Sequence, residues 1–119
     1  MHTVCETHSF KRAAEEVGMT PAEVNELIAL LSDNPLAGVV IPGTGGCRKL
    51  RVAGKQRGKS GGFRTVTFYS GANMPVFLLT VLSKGERANF TKAELNALSG
   101  ITQAIVKEYR ARVMKVEAK

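Results

Sequence analysis

GTGGCRKLRVAGKQRGKSGGFR, residues 43–64, decides how the rest of the chain is read. It carries seven basic residues, Arg48, Lys49, Arg51, Lys55, Arg57, Lys59 and Arg64, and no acidic one. Around Lys49-Leu50-Arg51-Val52 charged and apolar side chains alternate, which is the period of a half-buried strand. Over residues 54–62 that pattern dissolves into glycine and charge, a loop composition. At Phe63 an alternating, β-branched and aromatic run resumes and continues through Tyr69. Strand, glycine-rich loop and strand together predict a hairpin with a basic face.

Toward the C-terminus, residues 76–82 (VFLLTVL) are apolar on both faces and predict the central strand. A last helix is predicted from Thr91, with Glu94 three residues on as a capping box. Its buried stripe reads Leu95, Leu98, Ile101, Ile105, Tyr109 and Val113, and residues 115–119 read as a frayed tail. Toward the N-terminus, residues 38–41 predict a short apolar strand ended by Pro42. Ahead of it, Thr20, Pro21 and Glu23 supply an N-cap, a first-turn proline and a capping box, with Met19 and Val24 as a hydrophobic staple. Val24, Leu27, Ile28 and Leu31 give that helix one buried face, and Asn34-Pro35 ends it. An earlier helix opens at His8 or Ser9 and is stopped by Gly18, and residues 3–6 predict a first strand. The reading is a single domain over residues 1–119 of class α+β. It has a mostly antiparallel four- to five-stranded sheet, an N-terminal helical hairpin and a C-terminal helix.

The net charge of +7 is unevenly placed. Residues 34–85 hold eight basic side chains and no carboxylate, whereas the rest of the chain holds nine basic against ten acidic. The excess therefore belongs to the sheet region and points to a polyanion, most often nucleic acid. Solubility alone does not require acids to be excluded from so long a stretch. No segment is apolar for long enough to span a membrane, and the N-terminal residues do not read as a signal peptide, so a cytoplasmic location is expected. Two cysteines, Cys5 and Cys47, make neither a disulfide framework nor a zinc site.

Several chemistries are disfavoured. Residues 53–60 (AGKQRGKS) imitate a phosphate-binding loop with alanine for the first glycine, but Gly61-Gly62 leads into a predicted strand where that loop needs a helix. Two-metal hydrolysis needs clustered carboxylates, and His2 and His8 are too sparse for zinc. Ser60 and Cys47 have no neighbouring histidine base and read as structural. No cofactor is expected. What remains is chemistry done with lysine and arginine. RNA supplies its own nucleophile, the 2′-hydroxyl, so a protein need only orient it, neutralise charge on the phosphorane and manage two protons. Arginine suits the second task through bidentate contacts that strengthen as charge develops. Lysine suits the third when its surroundings favour the neutral amine. A basic sheet that merely binds RNA would have the same composition.

The motif Gly43-x-Gly45-Gly46-x-Arg48-Lys49-x-Arg51, followed by Gly58-Lys59-Ser60-Gly61-Gly62-x-Arg64, resembles the RelE/ParE superfamily of toxins, closest to its HigB-like branch. Asn34-Pro35, and Lys84 followed by Glu86, Asn89, Thr91 and Glu94, extend the resemblance over nearly the whole chain. It implies a RelE-like, microbial RNase-like fold. It also implies a metal-independent endoribonuclease that cuts translated mRNA on the ribosome, and a cognate antitoxin, in this branch usually a helix-turn-helix protein. By position, Arg64 and Lys84 are implied for phosphate and transition-state contacts, and Lys49 or Arg51 as base. Arg48, Lys55, Arg57, Lys59, Arg87 and Phe90 are expected to bind RNA. Some members carry a tyrosine where this chain has Phe90, which can stack on a base but cannot move a proton. A lysine is then the expected acid, with Tyr69 a weaker candidate. Two other readings stand beside this one: a ParE-like inhibitor of DNA gyrase, and an RNA- or ribosome-binding module without turnover.

Overall fold

The two N-terminal helices begin where side-chain oxygens replace missing backbone acceptors. In the computed structural model, which describes residues 2–53, 62–71, 73–83 and 90–117, Thr7 caps helix α1 (His8–Val17) and accepts from the Phe10 N–H at 3.1 Å. Gly18, at φ 79°, closes α1 in the left-handed conformation that glycine adopts without a Cβ clash. Helix α2 (Pro21–Asp33) starts on a full capping box. Thr20 Oγ1 accepts from the Glu23 N–H at 3.2 Å, and the Thr20 N–H donates to Glu23 Oε1 at 2.8 Å. Replacing Thr20 by alanine is expected to cost about 1 kcal/mol, read as a lower urea midpoint at unchanged slope.

Five strands follow from the alternating runs: β1 (Val4–Glu6), β2 (Val39–Val40), β3 (Cys47–Val52), β4 (Phe63–Phe68) and β5 (Val76–Ser83). They form one mixed sheet of order β1-β5-β4-β3-β2, in which β1 runs parallel to β5 and the other three pairings are antiparallel. The expected α+β architecture holds. The centre of the sheet, however, is β4, not residues 76–82. Those residues are apolar on both faces because β5 is interior and packed from both sides, not because it lies in the middle. In β4 every residue except Arg64 is buried.

The sheet separates two cores. On one face Phe10, Ala14, Leu27 and Leu31 of the helical hairpin pack with Phe63, Val76, Leu78 and Val81. On the other, Leu98 of helix α3 (Lys92–Glu117) packs with Ile41, Cys47, Val66, Phe68 and Leu79, joined by the half-buried Phe90, Leu95, Ile105 and Val106. Thr91 and Glu94 make the capping box expected there, with distances of 2.8 and 3.1 Å. The apolar stripe of α3 departs from expectation in two places. Ile101 is 45% exposed, and Thr102 is buried instead. The Thr102 hydroxyl lies 2.9 Å from the carbonyl oxygens of both Thr44, in the turn before β3, and Ser99, one turn back in the helix, so its burial leaves it with hydrogen-bond partners. The helix also runs on to Glu117, through part of the stretch expected to fray.

Candidate active site on the sheet face shared with helix α3

Side chains that are direct partners on neighbouring strands point to the same face, and successive residues alternate. Cys47 belongs to the α3 core, so Lys49 and Arg51, two and four residues on, share its face. Across the β3–β4 ladder Lys49 is opposite Val66, and Arg51 is opposite Arg64. Across the β4–β5 ladder Val66 is opposite Thr80, and Arg64 is opposite Leu82. Two rows result: Lys49, Val66 and Thr80, then Arg51, Arg64 and Leu82. The second row belongs to neither core. Arg51 is exposed, and Arg64 and Leu82 are half-buried.

Thr102 contacts the turn at Thr44, beside the start of β3 and the end of β4. From there the helix runs back about 15 Å to Lys92, at about 1.5 Å per residue. A groove of about 560 Å³ lined by Phe68, Val106, Lys107 and Arg110 lies at the opposite end of α3.

Two arginines placed opposite each other disobey the rule that like charges on a cross-strand pair are unfavourable. The two strand positions are about 5 Å apart, and Lys49 precedes Arg51 by two residues on the same strand and face.

Of the residues expected at the site, Lys49, Arg51 and Arg64 are thus brought onto one face, while Phe90 is half-buried against the α3 core. Arg48 is not. It alternates to the opposite face with Leu50 and Val52, and its Nη1 donates to the Leu36 carbonyl at 3.1 Å and the Gly38 carbonyl at 3.3 Å. Lys55, Arg57, Lys59, Lys84 and Arg87 lie outside the described residues. Tyr69 is half-buried, its ring edge-on to His2 at 5.5 Å. Thr80 and Leu82 were not read from the sequence as site residues. The register slips between Val66 and Thr67, leaving Leu79 without a partner, so the β5 alternation changes phase there. In a continuously apolar run no residue signals that slip.

Cys47 is buried, and desolvation pushes its thiol up, against a smaller opposing effect of its hydrogen bond with Thr44. It is a core side chain. Among the described residues no group of three or more His, Cys, Asp or Glu gathers as a metal site, and no helix is long and apolar enough to cross a membrane. A family model described as the RelE toxin of the RelE / RelB toxin-antitoxin system matches residues 2–119.

Proposed function

The chain belongs to the RelE toxin family, a toxin with a cognate antitoxin, and from that premise we propose that it is a ribosome-dependent endoribonuclease of the HigB-like kind, cleaving translated mRNA and so arresting growth. The observation that carries this reading is the Arg51–Arg64 cross-strand pair, with Lys49 on the same face of the sheet.

The chemistry follows from what these groups can do. The 2′-oxygen attacks phosphorus, the bond from phosphorus to the 5′-oxygen breaks, and the strands end in a 2′,3′-cyclic phosphate and a 5′-hydroxyl. Arg64 and Arg51 hold the non-bridging oxygens, and their hydrogen bonds strengthen as the phosphorane gains charge. A guanidinium keeps its protons, so accepting the 2′-proton falls to Lys49. The departing 5′-oxygen takes a proton from a lysine, for which Lys84, immediately after β5 in sequence, is the candidate. Phe90 offers a ring for a base to stack on. The ribosome supplies what so small a protein cannot: an mRNA held with its backbone bent toward in-line attack. Arg87 and the lysines and arginine of residues 55–59 would grip RNA around it. The antitoxin, on this reading, is a helix-turn-helix protein, and toxin and target meet in the cytoplasm.

Primer extension on a defined mRNA, translated by purified ribosomes with the chain added, tests the reading. Cuts spaced by codons are expected, with 5′-ends that accept ligation only after phosphorylation. A single 2′-deoxynucleotide on the 5′ side of the cut should abolish cleavage there, since the nucleophile is gone. Cleavage that persists would overturn the mechanism. Growth arrest with intact mRNA and stalled replication would instead favour a gyrase inhibitor, and absence of both effects a binding module.

A further inference from the structure

Thr80 is the one polar side chain in residues 76–82 (VFLLTVL), and it does not sit where strand alternation would put it. Leu78 packs in the helical-hairpin core and Leu79 in the α3 core, so strict alternation assigns residue 80 to the hairpin side and residue 81 to the α3 side. The reverse is observed. Val81 is buried in the helical-hairpin core, and Thr80 is opposite Val66, which belongs to the α3 core. The slip in register, from Val66–Thr80 to Thr67–Leu78, makes the exchange. It carries Thr80 and Leu82 onto the face that holds Lys49, Arg51 and Arg64. An extra residue in one strand disrupts the ladder locally, and such bulges recur beside active sites, where they re-aim a side chain. Of the threonines on β4 and β5, Thr65 donates its hydroxyl to the Leu50 carbonyl at 2.9 Å and Thr67 is fully buried, whereas Thr80 is half-buried.

The place of Thr80 in the sheet limits what its hydroxyl can meet. It is diagonal to Arg64 across the β4–β5 ladder, about 7 Å away at the strand positions. Lys49 is on β3 and Thr80 on β5, so the two flank β4 from opposite sides, about 10 Å apart. In-line displacement at phosphorus also has two sides, the attacking 2′-oxygen on one and the departing 5′-oxygen on the other. With Lys49 as base on the β3 side, the leaving group falls on the β5 side. We propose that Thr80 is a further catalytic residue of the cleavage reaction, its hydroxyl donating a hydrogen bond to the 5′-oxygen as the bond from phosphorus breaks. This role rests on the chain being an endoribonuclease, and it assigns the leaving-group side of the site to β5. Thr80 keeps its own proton throughout. The proton that the 5′-oxygen gains still comes from a lysine, for which Lys84, four residues on, is the candidate. Arg51 and Arg64 keep the non-bridging oxygens.

Single-turnover cleavage of a synthetic mRNA on purified ribosomes, with the full chain, tests the role. Thr80→Val keeps the shape and removes the hydroxyl, and should slow cleavage by ~10-fold with ribosome affinity unchanged. Thr80→Ser, which returns the hydroxyl, should restore most of the rate. Should Thr80→Val lower the thermal midpoint, Thr80→Ala is measured in its place. The same mRNA with sulfur for the 5′-oxygen at the cut carries a better leaving group, which departs without need of a hydrogen bond. On that substrate the gap between wild type and Thr80→Val should close to within about twofold. Wild-type rates in Thr80→Val and Thr80→Ala would overturn the role of Thr80 and leave the arginine pair standing. A gap of equal size on the sulfur substrate would overturn the contact with the leaving group. Absence of cleavage by the wild-type chain would overturn the endoribonuclease reading, and the role of Thr80 with it.

Discussion

Arg64→Ala lowers mRNA cleavage on translating ribosomes by on the order of 10²–10³-fold, while stability changes by no more than about 1 kcal/mol. The expectation comes from where Arg64 stands. It is the one residue of β4 that is not buried, lies between Arg51 and Leu82 in register, and belongs to neither core. Truncating it leaves the buried side chains of β4 in place. What is lost is a contact that strengthens as the phosphorane forms, so the fall should appear in single-turnover rate more than in ribosome affinity. Arg64→Lys separates charge from geometry. An ammonium is a point charge without the planar fork, so only a small part of the rate should return. Arg51→Ala should be weaker than Arg64→Ala, because Arg51 is the more exposed of the two and water screens it. In a double-mutant cycle the pair should be non-additive, as for two groups that hold one phosphate. Near-wild-type cleavage by Arg64→Ala would remove the cross-strand pair from the chemistry.

The elements were legible because their signals are local. A capping box at Thr20 and Glu23, glycine after Val17, and alternation from Phe63 to Phe68 each fix a boundary without reference to the rest of the chain. That Lys49, Arg51 and Arg64 share a face was also nearly legible, since alternation within each strand is written in the sequence. The order of strands was not. An interior strand packed on both sides reads the same whether or not it is the middle one, so β4 and β5 could not be ranked by composition. Nor could the slip at Leu79 be seen, because a bulge in an all-apolar run changes no residue type. The placement of Arg48 depended on tertiary partners as well: its guanidinium is taken up by two carbonyls twelve and ten residues away in sequence. On α3 hydrophobic spacing favoured Ile101, yet Thr102 is the buried residue, its hydroxyl within reach of the Thr44 and Ser99 carbonyls.

The other face makes the opposite expectation. Phe10 is fully buried in the core between the helical hairpin and the sheet, against residues of β4 and β5. Thr7 fixes it there twice over: its hydroxyl donates to the Leu78 carbonyl at 2.7 Å, and accepts from the Phe10 N–H. A cavity left by Phe10→Ala cannot close by a small shift of α1 without breaking that anchor to β5. A cost of about 3–5 kcal/mol is expected, and a fall in thermal midpoint of roughly 12–20 °C for a chain of this length. Below its transition the variant should still cleave within about threefold of wild type, because the proposed groups Lys49, Arg51 and Arg64 lie on the other face. The two substitutions then dissociate: Arg64→Ala keeps the midpoint and loses the rate, and Phe10→Ala does the reverse. Calorimetry beside the single-turnover assay measures both. Should folded Phe10→Ala lose rate as deeply as Arg64→Ala, the sheet would be transmitting strain from its packed face to its charged one. The cations would then be positioned by the hairpin core as much as by their own strands.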